Sequence, residues 1–145
     1  MKARMNIAEL EPKGYQSVLG LENYNINSGI DKSHLELIKI RASQINGCAF
    51  CINMHTQDAI KQGETAQRIF LLNAWKETNL FNEQERVILA MTEEITEISK
   101  QGFSEATYEA AEKLFDAHYI AKIILAIATI NVWNRIAISS LTQPI

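Results

Sequence analysis

Between Pro12 and Pro144 the chain contains no proline, and that absence constrains its fold more than any other feature. Proline removes a backbone donor and clashes with the preceding helical turn, so a chain without it is free to run in long helices. The glycines Gly14, Gly20, Gly29, Gly47, Gly63 and Gly102 fall mostly where apolar periodicity breaks, as residues that end or join helices do. No segment shows β alternation, low complexity or an internal repeat. The expected class is therefore all-α. With 145 residues and 47% hydrophobic content, the chain is large enough for one domain with its own core, a bundle of about six to seven helices over 1–145.

Periodicity places the helices. A first is expected near 13–26, carrying Tyr15, Val18, Leu19, Leu21 and Tyr24, and a second near 32–44. In the second, Leu35, Ile38, Ala42 and Ile45 recur at helical spacing, while Leu37 and Ile40 widen the apolar surface. This helix should be largely buried, with Glu36, Lys39 and Ser43 as a narrow polar strip. A third helix is expected from about Asn46-Gly47 to Gln62, and a fourth over 65–78. Asn82 and Glu85 form a capping-box signature for a long fifth helix, and Ser104 is a candidate cap for the sixth. The last is expected over 118–139. It is strongly apolar, but Lys122, Asn131, Asn134 and Arg135 interrupt it short of the roughly 18 to 20 residues a bilayer core requires. It reads as a core or subunit-interface helix, with Trp75 and Trp133 as core or interface anchors. Asn131, Asn134 and Arg135 are expected to make hydrogen bonds between subunits or to line a pocket.

Charge excludes some functions. Fourteen Lys and Arg against 17 Asp and Glu leave a net −3, with no electrostatic footprint for nucleic acid. Lys2 and Arg4 are not followed by an apolar run, so no signal peptide is visible and a cytoplasmic location is expected. In that compartment two cysteines at CxxC spacing indicate redox chemistry or metal more often than a structural staple.

The two cysteines are Cys48 and Cys51, and His55 follows four residues later. On a helix beginning at Gly47 all three lie within about 60° of one another. The helix dipole in the first turn favours thiolate at Cys48, whereas the backward lean of helical side chains brings His55 over Cys51. Glu36, on the preceding helix, meets His55 if the two helices pack antiparallel, and would orient the imidazole as a base. The plainer readings are a Ser33-x-x-Glu36 capping box, an exposed Glu36–Lys39 ion pair, an inert disulfide, or a zinc half-site recruiting His55 plus His34 or His118.

The pattern Glu36-x11-Cys48-x2-Cys51-x3-His55, set in Ile40-Arg41-Ala42-Ser43-Gln44-Ile45-Asn46-Gly47-Cys48-Ala49-Phe50-Cys51, resembles the alkylhydroperoxidase D-like core of the carboxymuconolactone decarboxylase family. Similarity extends through His55-Thr56, Gly63-Glu64-Thr65, Trp75, Phe81, Glu85-Arg86 and Ile130-Asn131-Val132-Trp133-Asn134-Arg135. The resemblance implies an all-α fold in homo-oligomers, trimeric or hexameric, and a thiol-dependent peroxidase or disulfide oxidoreductase needing neither metal nor bound cofactor. It further implies Cys51 as the peroxide-attacking thiol, Cys48 as the resolving thiol, and Glu36 with His55 as a proton relay. Its partners would be a small hydroperoxide and a dithiol donor of thioredoxin-like or lipoyl type, with no nucleic acid or membrane. Alkylhydroperoxidase D carries a histidine immediately before the second cysteine, where this chain has Phe50. The alternatives are a non-enzymatic redox-sensing oligomer and a carboxymuconolactone decarboxylase-like enzyme.

Overall fold

The computed structural model describes all of residues 1–145, and helix is its only regular secondary structure. Its helices are α1 (Ile7–Leu10), α2 (Pro12–Asn27), α3 (Lys32–Asn46), α4 (Ala49–Lys61), α5 (Ala66–Phe70), a 3₁₀ helix (Leu72–Glu77), α6 (Glu83–Thr96), α7 (Ile98–Gln101), α8 (Glu105–Glu112) and α9 (Ala117–Ser140). The long helices stand where periodicity places them. The additional elements are short: α1, α7, and the division of the expected 65–78 helix into α5 and the 3₁₀ turn.

The 3₁₀ helix is held at its end by tertiary contacts. The Arg86 guanidinium donates to the carbonyls of Trp75 (3.0 Å), Thr78 (2.9 Å) and Lys76 (3.2 Å), and Trp75 Nε1 donates to Glu93 Oε1 (2.8 Å). Within the 3₁₀ helix Ala74 departs from helical geometry at φ −116°.

Helix α3 is the central element, packing against α4, α6 and α9. Because it is apolar nearly all round, its sides serve two cores. Leu35, Ile38 and Ala42 join Ile88 and Met91 of α6 and Ile123, Ile127 and Ile130 of α9. Leu37 and Ile40 join Ala59, Leu72, Trp75, Phe81 and Leu89. Each of these fully buried branched side chains contributes roughly 1.5 to 3 kcal/mol relative to exposure.

The helix starts follow side-chain chemistry. Asp31 accepts from the amides of Ser33 and His34 and so caps α3; Ser33 is therefore not the cap, and Glu36 is not the distal half of a capping box. Asn82 and Glu85 form the expected capping box of α6, and Ser104 caps α8. Asp116 caps α9, which at 24 residues is long and apolar enough to cross a membrane by length and composition. Here Ile120, Ile123, Ile127 and Ile130 of that helix are core residues.

Candidate active site

Gly47 ends α3 in the left-handed region at φ 71°, a conformation that favours glycine, and turns the chain directly into α4. The expected start at Gly47 is thus two residues early: α4 begins at Ala49, and Cys48 is its N-cap. The Cys48 amide donates to the Ser43 carbonyl (2.9 Å), and the Cys51 amide donates to Cys48 Sγ (3.3 Å). A sulfur fills the capping role usually held by an oxygen. The Cys48 and Cys51 sulfurs are in bonding contact, with Cα atoms 5.3 Å apart, as a disulfide requires. Both residues are buried, packed against Ala137 of α9 and Phe50.

Glu36 and His55 meet across the α3–α4 contact. His55 Nδ1 lies 3.4 Å from Glu36 Oε2, and neither atom has any hydrogen-bond partner although both are buried. Each is left with the other, at a separation longer than a formed hydrogen bond.

Behind Glu36 lies a charge chain. Lys39 Nζ is 3.9 Å from Glu36 Oε1 and 2.5 Å from Glu22 Oε1 on α2, and Trp133 Nε1 of α9 donates to Glu22 Oε2 (3.2 Å). The Lys39 and Glu36 side chains are only 7% and 9% exposed, so this is not the surface ion pair that the plainer sequence reading allows.

Cys51 and His55 share the wall of a cavity of about 430 Å³. Most of its lining is apolar, including Leu19, Phe50, Met54, Trp133, Ile136 and Ala137. Ala3, Met5, Asn6, Ile7 and Ala8 also line it. Arg4 ties this segment to the end of α9, its amide donating to the Ser140 carbonyl (2.9 Å) and its Nη1 to that of Ser139 (3.2 Å). Cys48 does not line this cavity. Glu36 does not either; it borders a separate polar cleft of about 430 Å³ with Lys32, Ser33, Gln62, Glu64 and Arg68.

The structure thus brings Cys48, Cys51, His55 and Glu36 together, and it separates the other candidates. His34 Nδ1 pairs with the Tyr119 hydroxyl (2.8 Å), and His118 is exposed. Asn131 and Asn134, expected to bond between subunits, bond within the chain: Asn46 Nδ2 donates to both (3.0 and 2.9 Å), and Asn134 donates to Ser43 Oγ (2.9 Å). Arg135 donates to Asn131. Motif and spacing do not point to Glu22 or to the segment before α1. The one available signal is Lys39, a cation in an apolar helix one turn from Glu36.

The family model described as carboxymuconolactone decarboxylase family matches residues 12–94. The uncharacterized protein YdfG of Bacillus subtilis is 41% identical over 139 residues, which cover 96% of this chain and 95% of YdfG. The crystal structure of a protein of unknown function from Agrobacterium tumefaciens, provisionally named an antioxidant defence protein AhpD, superposes with a TM-score of 0.97 at 39% identity, covering 99% of each chain. The alkyl hydroperoxide reductase AhpD of Coxiella burnetii is 46% identical over 41 residues, 28% of this chain and 23% of that reductase, so this likeness concerns a segment.

Proposed function

Since the chain belongs to the carboxymuconolactone decarboxylase family and sets one sulfur of a CxxC pair in the wall of an apolar cavity beside a histidine, we propose that it is a thiol-dependent peroxidase acting on organic hydroperoxides. In the reduced protein the Cys51 thiol gives its proton to His55 at Nε2, the ring nitrogen not facing Glu36. The thiolate attacks the terminal oxygen of R–O–O–H: an S–O bond forms, the O–O bond breaks, and sulfur supplies two electrons. The alkoxide takes the proton from His55 and leaves as ROH. Cys48 then attacks Cys51 Sγ; the S–S bond forms, the S–O bond breaks, and hydroxide leaves with the Cys48 proton as water. An external dithiol returns two electrons by attack on Cys51, displacing Cys48 as a thiolate that the Cys51 amide and the α4 N-terminus favour.

The observation that carries this reading is the asymmetry of the pair: Cys51 lines the cavity with His55 and Cys48 does not. That supports Cys51 as the attacking thiol and Cys48, at the N-cap, as the resolving one. The apolar lining suits the organic part of a hydroperoxide. Self-association belongs to the same proposal. Leu21, Tyr24 and Ile26 of α2 and Ile124, Leu125 and Ile138 of α9 remain exposed on the single chain, which is the apolar surface a homo-oligomer would cover. Dithiol cycling suits a reducing cytoplasm.

The test is a thiol count. Reduced protein treated with one equivalent of cumene hydroperoxide should lose both free thiols and release the alcohol, and a dithiol should restore turnover. Two thiols remaining after the peroxide is offered would refute the proposal. Single oxidation with no recycling by any dithiol would indicate a redox sensor.

A further inference from the structure

We propose that Lys39 is a positioning residue for the Glu36–His55 pair, held in place by Glu22 and Trp133. The inference deepens the proposed thiol chemistry and rests on it for its kinetic readout alone. The ammonium stands between two carboxylates. Its hydrogen bond goes to Glu22 Oε1, while at 3.9 Å from Glu36 Oε1 it acts through charge. One oxygen of Glu36 is thereby turned to Lys39 and the other to His55 Nδ1.

Stability is a weak reason for this arrangement. A buried ion pair is often replaced by packed apolar side chains without loss, because desolvation offsets the attraction. The surroundings of Lys39 are apolar enough for such a replacement, since Leu35, Ile38 and Ala42 of the same helix are core residues. The chain instead carries an ammonium with 7% of its side chain exposed.

Its effect on the histidine follows from donor and acceptor roles. A Glu36 carboxylate only accepts, so the proton of a neutral His55 is held on Nδ1 and the Nε2 lone pair is left free as the base. The three groups Glu22, Lys39 and Glu36 sum to one negative charge, which an imidazolium at His55 cancels. Without the ammonium, Glu36 Oε1 loses the charge that orients it, and the carboxylate is free to turn away from His55 Nδ1. The acceptor that holds the ring proton on Nδ1 is then lost, the proton is free to move to Nε2, and Nε2 no longer serves as the base.

The experiment reads the tautomer directly. The chain has three histidines, so ¹⁵N-histidine labelling of the reduced protein at about pH 8, above the ordinary histidine range, resolves them, and His55→Gln assigns the relevant ring. The expected result is Nδ1–H at His55 in the native protein, and a shift toward Nε2–H in both Lys39→Met and Lys39→Gln. Those variants should also react with cumene hydroperoxide roughly 10- to 100-fold more slowly. Lys39→Arg, which keeps the cation, should retain the native tautomer and most of the rate. An Nε2–H tautomer in the native protein overturns the proposal even if the neutral variants fail to fold. An unchanged tautomer in a folded neutral variant, or an arginine variant that behaves like methionine, overturns it equally. If the native protein shows Nδ1–H but ignores peroxide, the peroxidase reading fails and the role of Lys39 stands.

Discussion

Asn134→Ala should cost about 2 to 4 kcal/mol, a figure assembled bond by bond. Asn134 is fully buried on α9; it donates to Ser43 Oγ at 2.9 Å and accepts from Asn46 Nδ2 at 2.9 Å. Asn46 keeps a second acceptor in Asn131, so that loss is a single ordinary hydrogen bond of about 1 kcal/mol. Ser43 is also fully buried, and Asn134 is its hydroxyl's partner, so truncation strands a polar group at about 1 to 3 kcal/mol. For a chain of this size each kcal/mol lowers the melting temperature by roughly 3 °C, giving a drop of about 6 to 12 °C. The assay is thermal melting of the reduced protein by circular dichroism, with the neighbouring exposed Arg135→Ala as reference, expected within about 0.5 kcal/mol of native. The effect should reach the dithiol, because the Ser43 carbonyl accepts the Cys48 amide; hydrogen exchange at Cys48 should accelerate in Asn134→Ala only. A melting temperature for Asn134→Ala matching that of Arg135→Ala would refute the reasoning.

The dithiol and the acid side of the stability curve give further outcomes. Cys48→Ser should accumulate a sulfenic acid on Cys51 that a sulfenate-selective probe labels, whereas Cys51→Ser should yield no label; the opposite pattern would exchange the two roles. Stability should fall as pH drops below about 6.5, because burial, only partly offset by Asp31 and Glu85, holds His34 below its ordinary value and the unfolded chain takes up the proton first. Urea midpoints between about pH 7 and pH 5 should show this fall, and His34→Gln should flatten it; an equal slope in the variant would locate the effect elsewhere. In stronger acid Glu93 adds a loss of the same sign. Burial alone would raise its pKa, but hydrogen bonds from Trp75, Lys76 and Arg41 outweigh that and lower it, so the stability it contributes is lost as protonation proceeds.

The local content of the chain is legible in its sequence. A proline-free body, helical periodicity and capping residues such as Asn82, Glu85 and Ser104 fix the class and the long helices, because these are interactions among residues three or four apart. The cysteine and histidine spacing likewise exposes a candidate site, since an i, i+4 relation on one helix is a local property. What the sequence leaves open depends on distant partners. The Arg86 guanidinium, eleven residues beyond Trp75, meets that residue's carbonyl only through the fold. Cys48 is an N-cap instead of a first-turn residue because Gly47 closes α3 in the left-handed region. The subunit-bridging role expected for Asn131 and Asn134 gives way to bonds with α3, set by how α9 crosses it. Glu22 and Lys39 are seventeen residues apart and carry no motif, so only the packing of α2 on α3 and α9 could bring them to one charge chain. Local spacing determined the sulfur pair and its histidine; the tertiary structure decided which sulfur meets the cavity and which charges stand behind Glu36.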